Sequence, residues 1–134
     1  MRITVSSDAA GLRAARDCVE RFAADAALPE TERAHLHLIV EELLTNLLKY
    51  GYDFGRMGEA ELSFRRDGDR MILTVIDDGR AFDPLAAPPP DLDQPVEDRP
   101  IGGLGLHLIR SLAEEARYER IAGRNHLTLT RRIA

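Results

Sequence analysis

Cysteine is almost missing from this chain: Cys18 stands alone among 134 residues. With no second thiol there is no disulfide and no thiolate set for zinc, and such usage fits a reducing compartment. Cys18 itself reads as an ordinary helix residue. Positive charge is also in short supply. Eighteen Lys and Arg against 23 Asp and Glu give a net charge of -5, which disfavours nucleic acid and anionic membrane, since both need a basic footprint. No apolar run approaches the ~20 residues of a membrane span. The opening Met1-Arg2-Ile3-Thr4-Val5-Ser6 lacks the basic segment and apolar region of a secretory signal. The expectation is a cytoplasmic protein with no membrane or direct nucleic-acid contact, so that any role in transcription would have to pass through a protein partner. At 44% hydrophobic content, the 134 residues suit one domain, 1–134, with a sizeable core.

What is present is organised around the stretch from Leu36 to Tyr50. At about 100° per residue, Leu36, Ile39, Val40, Leu43, Leu44, Leu47, Leu48 and Tyr50 fill an arc of roughly 180°, which predicts a helix laid on a sheet. Glu42 and Asn46 fall outside that arc. Four residues apart, they share one face, so a carboxylate and an amide are aimed at the same region.

Before this helix, Arg2 to Ser6 alternates as a short strand, and Ser6, Ser7 and Asp8 are cap-type residues. A helix to about Ala26 follows, with Leu12, Ala15, Val19, Phe22 and Ala26 at helical spacing. Pro29 opens the next helix, with Glu30 and Glu32 near its positive end, and Gly51 closes it. Tyr52 to Gly58 is a loop. Glu59 to Arg66 and Arg70 to Ile76 form a hairpin about Asp67-Gly68-Asp69, and the second strand runs into Asp77-Asp78-Gly79. From Asp83 to Ile101 lie six of the seven prolines and five carboxylates. That stretch cannot be core, and a loop of ~20 residues within a compact domain is either a lid or a disordered insertion.

The loop ends in Ile101-Gly102-Gly103-Leu104-Gly105, ahead of a helix with Leu108, Ile109, Leu112, Ala113 and Ala116 at helical spacing. Glycines at a helix start let backbone N–H groups approach an anion such as a polyphosphate. No Gly-Lys-Ser/Thr follows, so this is not a Walker loop. Tyr118 to Ala122 and His126 to Arg132 then read as strands turning at Gly123-Arg124-Asn125. The order β-α-α-β-β-α-β-β predicts an α+β fold, a two-layer sandwich: a mixed, mostly antiparallel sheet with three helices on one face.

In sequence order, Glu42-Leu43-Leu44-Thr45-Asn46, Asp77-Asp78-Gly79 and Gly102-Gly103-Leu104-Gly105-Leu106 resemble the three ATP-binding boxes of the GHKL superfamily. The resemblance spans nearly the whole chain. Its short form, with Lys-Tyr-Gly-Tyr after the first box and Gly-Gly-Leu-Gly-Leu-His-Leu-Ile-Arg at the third, is similar to the anti-sigma-factor serine kinases of bacterial partner-switching systems. The resemblance implies the Bergerat, histidine-kinase-like ATPase fold, with ATP and Mg2+ as cofactors. It makes Asn46 the magnesium ligand and Glu42 the base for the attacking hydroxyl. It has Asp77 accept from the adenine amine and Gly79 admit the base, while Gly102, Gly103, Leu104, Gly105 and Leu106 form the phosphate cradle. Thr130, or Thr128, would touch the adenine side. Ala81 and Tyr50 depart from the superfamily pattern, which often has glycine and histidine there. His35 and His37 read as ordinary helix residues.

The implied function is an anti-sigma factor that phosphorylates an anti-anti-sigma (STAS-type) antagonist on serine or threonine and sequesters a sigma factor, with a homodimer suggested by the family. The alternative is a nucleotide-dependent protein-binding module that transfers no phosphate. A detached histidine-kinase catalytic domain would need a phosphoacceptor helix not found in this sequence. The segment from Arg80 to Ile101 is expected to be poorly ordered without nucleotide.

Overall fold

A computed structural model describes residues 1–52, 58–85 and 103–133, without the side chains of Tyr50 and residues 103–107. Its elements run β1 (Arg2–Ser6), α1 (Ala9–Asp25), α2 (Glu30–Tyr50), β2 (Glu59–Asp67), β3 (Arg70–Asp77), α3 (Gly103–Leu112), β4 (Glu115–Ile121) and β5 (Arg124–Arg132). The strands form one sheet in the order β1-β2-β3-β5-β4. Every described pair is antiparallel, whereas a mixed sheet was expected. The reason lies in the crossovers. Two helices rather than one join β1 to β2, which returns the chain antiparallel. β3 and β4 do run the same way across α3, but β5 lies between them, so no parallel ladder forms.

Strand alternation decides which face the helices cover. Val5 of β1, Ala60, Leu62 and Phe64 of β2, Met71, Leu73 and Val75 of β3, and Leu127 and Leu129 of β5 are all buried. Their registers bring Phe64 beside Leu73, and Leu73 beside Leu129. Against this row pack Ala15, Val19 and Phe22 from α1 and Leu36, Ile39, Val40 and Leu44 from α2. Phe22 and Phe64 meet with ring centroids 5.5 Å apart, a favourable aromatic separation. Cys18 is buried among them, and its burial pushes the thiol pKa up, as expected of an inert core cysteine.

The helix boundaries follow local chemistry. Asp8 caps α1 by accepting from the Gly11 N–H at 2.8 Å. Gly11 is required there because a Cβ would sit 1.7 Å from the Ser6 carbonyl oxygen. Pro29 is the N-cap of α2, Glu30 and Glu32 lie in its first turn, and the Gly51 N–H donates to the Leu47 carbonyl at the other end. Leu48, placed in the apolar arc from sequence, is 46% exposed.

Three expected boundaries shift. α3 begins at Gly103, so Gly103, Leu104, Gly105 and Leu106 belong to its first turn rather than to a preceding loop. Ala116, expected on that helix, lies in β4. The last hairpin turns at Ala122-Gly123, both with positive φ (51° and 78°). That is the pattern of a two-residue type I′ turn, and it moves Asn125 from a loop into β5.

Candidate functional site

A cavity of about 270 Å³ opens where the C-terminal half of α2 passes over the ends of β3 and β5. Its walls are mainly apolar: Leu43 and Leu47 of α2, Val75, Leu127, Tyr118, Phe82 and Pro84. Two sequence-predicted site residues, Asn46 from α2 and Asp77 from the end of β3, line it together. Ala81, the departure at the root of the expected lid, also faces it.

Asp77 is held by one oxygen. Its Oδ1 accepts from the Gly79 N–H at 2.9 Å and from Asn125 Nδ2 at 2.9 Å. Among the described residues Oδ2 has no hydrogen-bond partner. Burial, the largest influence, raises the carboxyl pKa and the neighbouring Asp78 charge adds to it; the hydrogen bonds from Asn125 and Gly79, with the Arg120 charge, act in the opposite sense. Asp78 has a different task. It accepts from Tyr52 Oη and from the Glu59 N–H, tying the chain after α2 to the start of β2.

Gly79 allows a close approach at the same corner. A Cβ there would lie 2.9 Å from the Gly51 carbonyl oxygen, and the next N–H, Arg80, donates to that oxygen at 2.8 Å. The glycine thus lets the strand end pass beneath the C-cap of α2, while its N–H orients Asp77. On the opposite wall Asn46 Nδ2 donates to the Glu42 carbonyl at 2.7 Å. A carbonyl can only accept, so the amide is oriented and its Oδ1 is left as a hard oxygen donor atom. Glu42 stands one turn earlier on α2, half-buried, and is not part of the cavity wall.

Gly103, Leu104, Gly105 and Leu106 form the opening turn of α3, whose first N–H groups have no intrahelical partner. Gly102 lies outside the described residues, as does the expected lid beyond Leu85. Thr130 is not brought to the cavity. Positions 125, 127 and 129 of β5 are buried under the helices while 126, 128 and 130 lie on the other face, because strand side chains alternate. Thr130 is also opposite Ile72, five positions from the Asp77–Asn125 pair, or about 16 Å along the strand.

Asn125 is the residue that sequence reasoning missed. Only 6% exposed, it bonds through both ends of its amide: Nδ2 to Asp77 Oδ1 and to the Arg80 carbonyl (2.9 Å each), Oδ1 from Tyr118 Oη (2.5 Å) and Arg120 Nη1 (3.0 Å). Arg120 Nη1 also donates to the Gly79 carbonyl at 2.8 Å. The signal was available. Reading the alternation back from Leu129 and Leu127 puts Asn125 on the core face, where a polar side chain must find partners.

A family model described as the histidine kinase-like ATPase domain matches residues 5–131. The chain belongs to that family. It is 35% identical over 98 residues to the serine/threonine-protein kinase BtrW of Bordetella bronchiseptica, covering 73% of this chain and 69% of that protein. It is 36% identical over 92 residues to the serine-protein kinase RsbW of Halalkalibacterium halodurans, covering 66% of this chain and 56% of that one. The chain thus spans little more than half the length of RsbW. A solved structure of the RsbU and RsbW domains of a Mycobacterium tuberculosis protein superposes with a TM-score of 0.64 at 21% identity, over 99% of this chain and 32% of the other. That likeness bears on the fold. The family model and the two relatives thus place the chain in the histidine kinase-like ATPase family, beside proteins named as serine/threonine-protein kinases. Among the described residues, no helix is long and apolar enough to cross a membrane.

Proposed function

We infer that residues 1–134 form one cytoplasmic ATP-binding domain that phosphorylates a serine or threonine on an STAS-type antagonist and sequesters a sigma factor when that antagonist is unavailable. The observation that carries this reading is the meeting of Asn46 and Asp77, from two elements, across one mainly apolar cavity in a chain of the serine-kinase family. The apolar walls suit a purine ring. Asp77 Oδ2, an acceptor, suits an exocyclic amine and repels a carbonyl at the same place, so adenine is preferred to guanine.

The residues also fit magnesium. Asn46 Oδ1 is an oxygen not spent on the helix, and no cluster of three or more His, Cys, Asp or Glu stands among the described residues, so Asn46 would hold the ion together with phosphate oxygens. When bound, the metal neutralises phosphate charge. Glu42, one turn from Asn46 on the same helix, is the group to take the proton as the acceptor hydroxyl oxygen bonds to the γ-phosphorus and ADP leaves. The first turn of α3 supplies N–H groups for the phosphates, with Gly103 and Gly105 allowing close approach and Leu104 and Leu106 in the same turn.

Two variants test this. Asn46→Ala should lose magnesium-dependent ATP affinity and activity together. Glu42→Ala should bind ATP and the sigma factor as before while phosphoryl transfer falls by roughly 10²- to 10⁴-fold. Calorimetry for affinity and mass spectrometry of the antagonist, on the same preparations, provide the readouts. Transfer at the wild-type rate by Glu42→Ala removes that residue from the chemistry. A wild type that transfers to no antagonist leaves a nucleotide-dependent binding module.

A further inference from the structure

The Asn125 amide is filled to capacity. An amide offers two N–H donors and two principal acceptor positions, and here the donors go to Asp77 Oδ1 and the Arg80 carbonyl while the acceptor oxygen takes Tyr118 Oη and Arg120 Nη1. The flipped amide would set its oxygen against a carboxylate and a carbonyl, and its NH2 against a guanidinium. Only one orientation is possible. With nothing left over, Asn125 has no atom for a ligand, although it lies on the cavity wall.

Its influence must therefore act through Asp77. The Gly79 N–H and Asn125 together occupy Oδ1, which leaves the carboxylate one open acceptor, Oδ2, and prevents it from rotating to offer the other. We propose that Asn125 is the positioning residue that sets base specificity in this site, by keeping Asp77 a fixed acceptor that selects an amino-bearing over a carbonyl-bearing purine. This rests on the adenine reading of the cavity. The charge state of Asp77 belongs to the same device. Burial favours the protonated acid, and the Asn125 hydrogen bond is the largest influence opposing it. Once protonated, the acid can present an O–H to the cavity, which repels an amine and attracts a carbonyl. The other charged groups around Asp77 are Asp78 beside it in sequence, Arg120 on β4, and Lys49 and Arg80 on the cavity wall. Of these, Arg120 loses its bond to Asn125 in Asn125→Leu but is still tied to the Gly79 carbonyl, and Tyr118→Phe, which keeps both Arg120 bonds, separates the effect of the amide from that of the guanidinium.

The test compares wild type with Asn125→Leu, and with Tyr118→Phe, which removes one bond to the Asn125 oxygen and carries the test if Asn125→Leu does not fold. First, the Asp77 carboxyl is titrated by carbon NMR without nucleotide. The expected result is a higher midpoint in Asn125→Leu and a smaller rise in Tyr118→Phe. Second, ATP and GTP affinities are measured against pH. Below its midpoint the variant should lose ATP affinity by roughly tenfold per pH unit and lose its preference for ATP over GTP, with both restored at higher pH. An unchanged Asp77 midpoint overturns the proposal, and so does an affinity loss that is equal at every pH, which marks a purely structural residue. If the midpoint rises but the wild type binds no adenine nucleotide, Asn125 still controls Asp77 and the adenine reading is what fails.

Discussion

Two polar clusters occupy the buried face of β5, one at each end of the row Asn125, Leu127, Leu129, Arg131. At the far end Arg131 makes a two-pronged ion pair with Glu32 (2.6 and 3.1 Å), donates to the Leu112 carbonyl at 2.6 Å and meets His35 Nδ1 at 2.8 Å. The guanidinium only donates, so His35 Nδ1 accepts. This joins the first turn of α2, the last turn of α3 and the end of the sheet, and none of its members lines the cavity described above. At the near end Asn125 is equally satisfied, yet its neighbour Asp77 keeps one carboxylate oxygen for the cavity. The difference is instructive. A buried polar group whose partners are all protein atoms serves architecture, whereas one with a spare acceptor facing a cavity bears a cost that a ligand can offset.

The largest expected effect comes from breaking the architectural cluster. Arg131→Ala leaves Glu32, only 6% exposed, as an uncompensated buried charge, and removal of one partner from such a pair costs about 3 to 5 kcal/mol. Urea denaturation should show a loss of that size. The fraction that remains folded should keep its ATP affinity, because the cavity lies at the other end of the sheet. A small stability change joined to a large affinity change would reverse the assignment of the two clusters.

Asp77→Asn should show the opposite pattern. Its oxygen can still accept from Gly79 and Asn125, but an NH2 now faces the amine, so ATP affinity should fall by ~1 to 3 kcal/mol. Stability should not fall with it. The native pKa of Asp77 is raised by burial, so its ionised form is less welcome in the folded state than in the unfolded chain. That cost is present above the folded pKa and vanishes as pH drops below the unfolded value. Asp77→Asn removes it, and the unliganded variant should have a Tm equal to or above that of wild type at neutral pH, with less change under acid. Calorimetric scans at both pH values, beside ATP titrations, check the pair of signs.

The sequence disclosed elements better than it disclosed contacts. Runs such as Ala60-Glu61-Leu62-Ser63-Phe64 and Met71-Ile72-Leu73-Thr74-Val75 carry their own period, and caps at Asp8, Pro29 and Gly51 mark ends by local chemistry, so these strands and helices were legible. Asn46 and Asp77 were legible because spacing and strand-end position are local properties. For Asn125 the alternation could give the burial but not the partner, since Asp77 is 48 residues away. The Arg131–Glu32 pair, 99 residues apart, was hidden for the same reason. Thr130 came from the family resemblance rather than from its strand, and the alternation of Leu127 and Leu129 puts it on the face away from the helices. A turn placed at Gly123-Arg124-Asn125 leaves Asn125 in a loop, outside the buried row of β5.

That turn gives the smallest effect and the finest test of how the two clusters are placed. Ala122 holds φ at 51°, in the left-handed region that disfavours a Cβ, in the first position of a type I′ turn that prefers asparagine followed by glycine. Gly123 already supplies the second. Ala122→Asn should therefore stabilise the protein by about 0.5 to 1 kcal/mol, and ATP affinity should not move, because the register from Ile121–Arg124 to Arg120–Asn125 is preserved. Inserting one residue between Ala122 and Gly123 is the informative contrast. If the longer loop is absorbed as a one-residue slip of β5 against β3, Asn125 passes to the open face opposite Ile76 and Arg124 comes opposite Asp77. Base selectivity and stability should then fall together, since Asn125 and Arg131 both leave the buried row. If selectivity survives such an insertion, the loop has bulged and β5 has kept its pairing, and proton NMR contacts between the Asp77 and Asn125 backbones would distinguish the two.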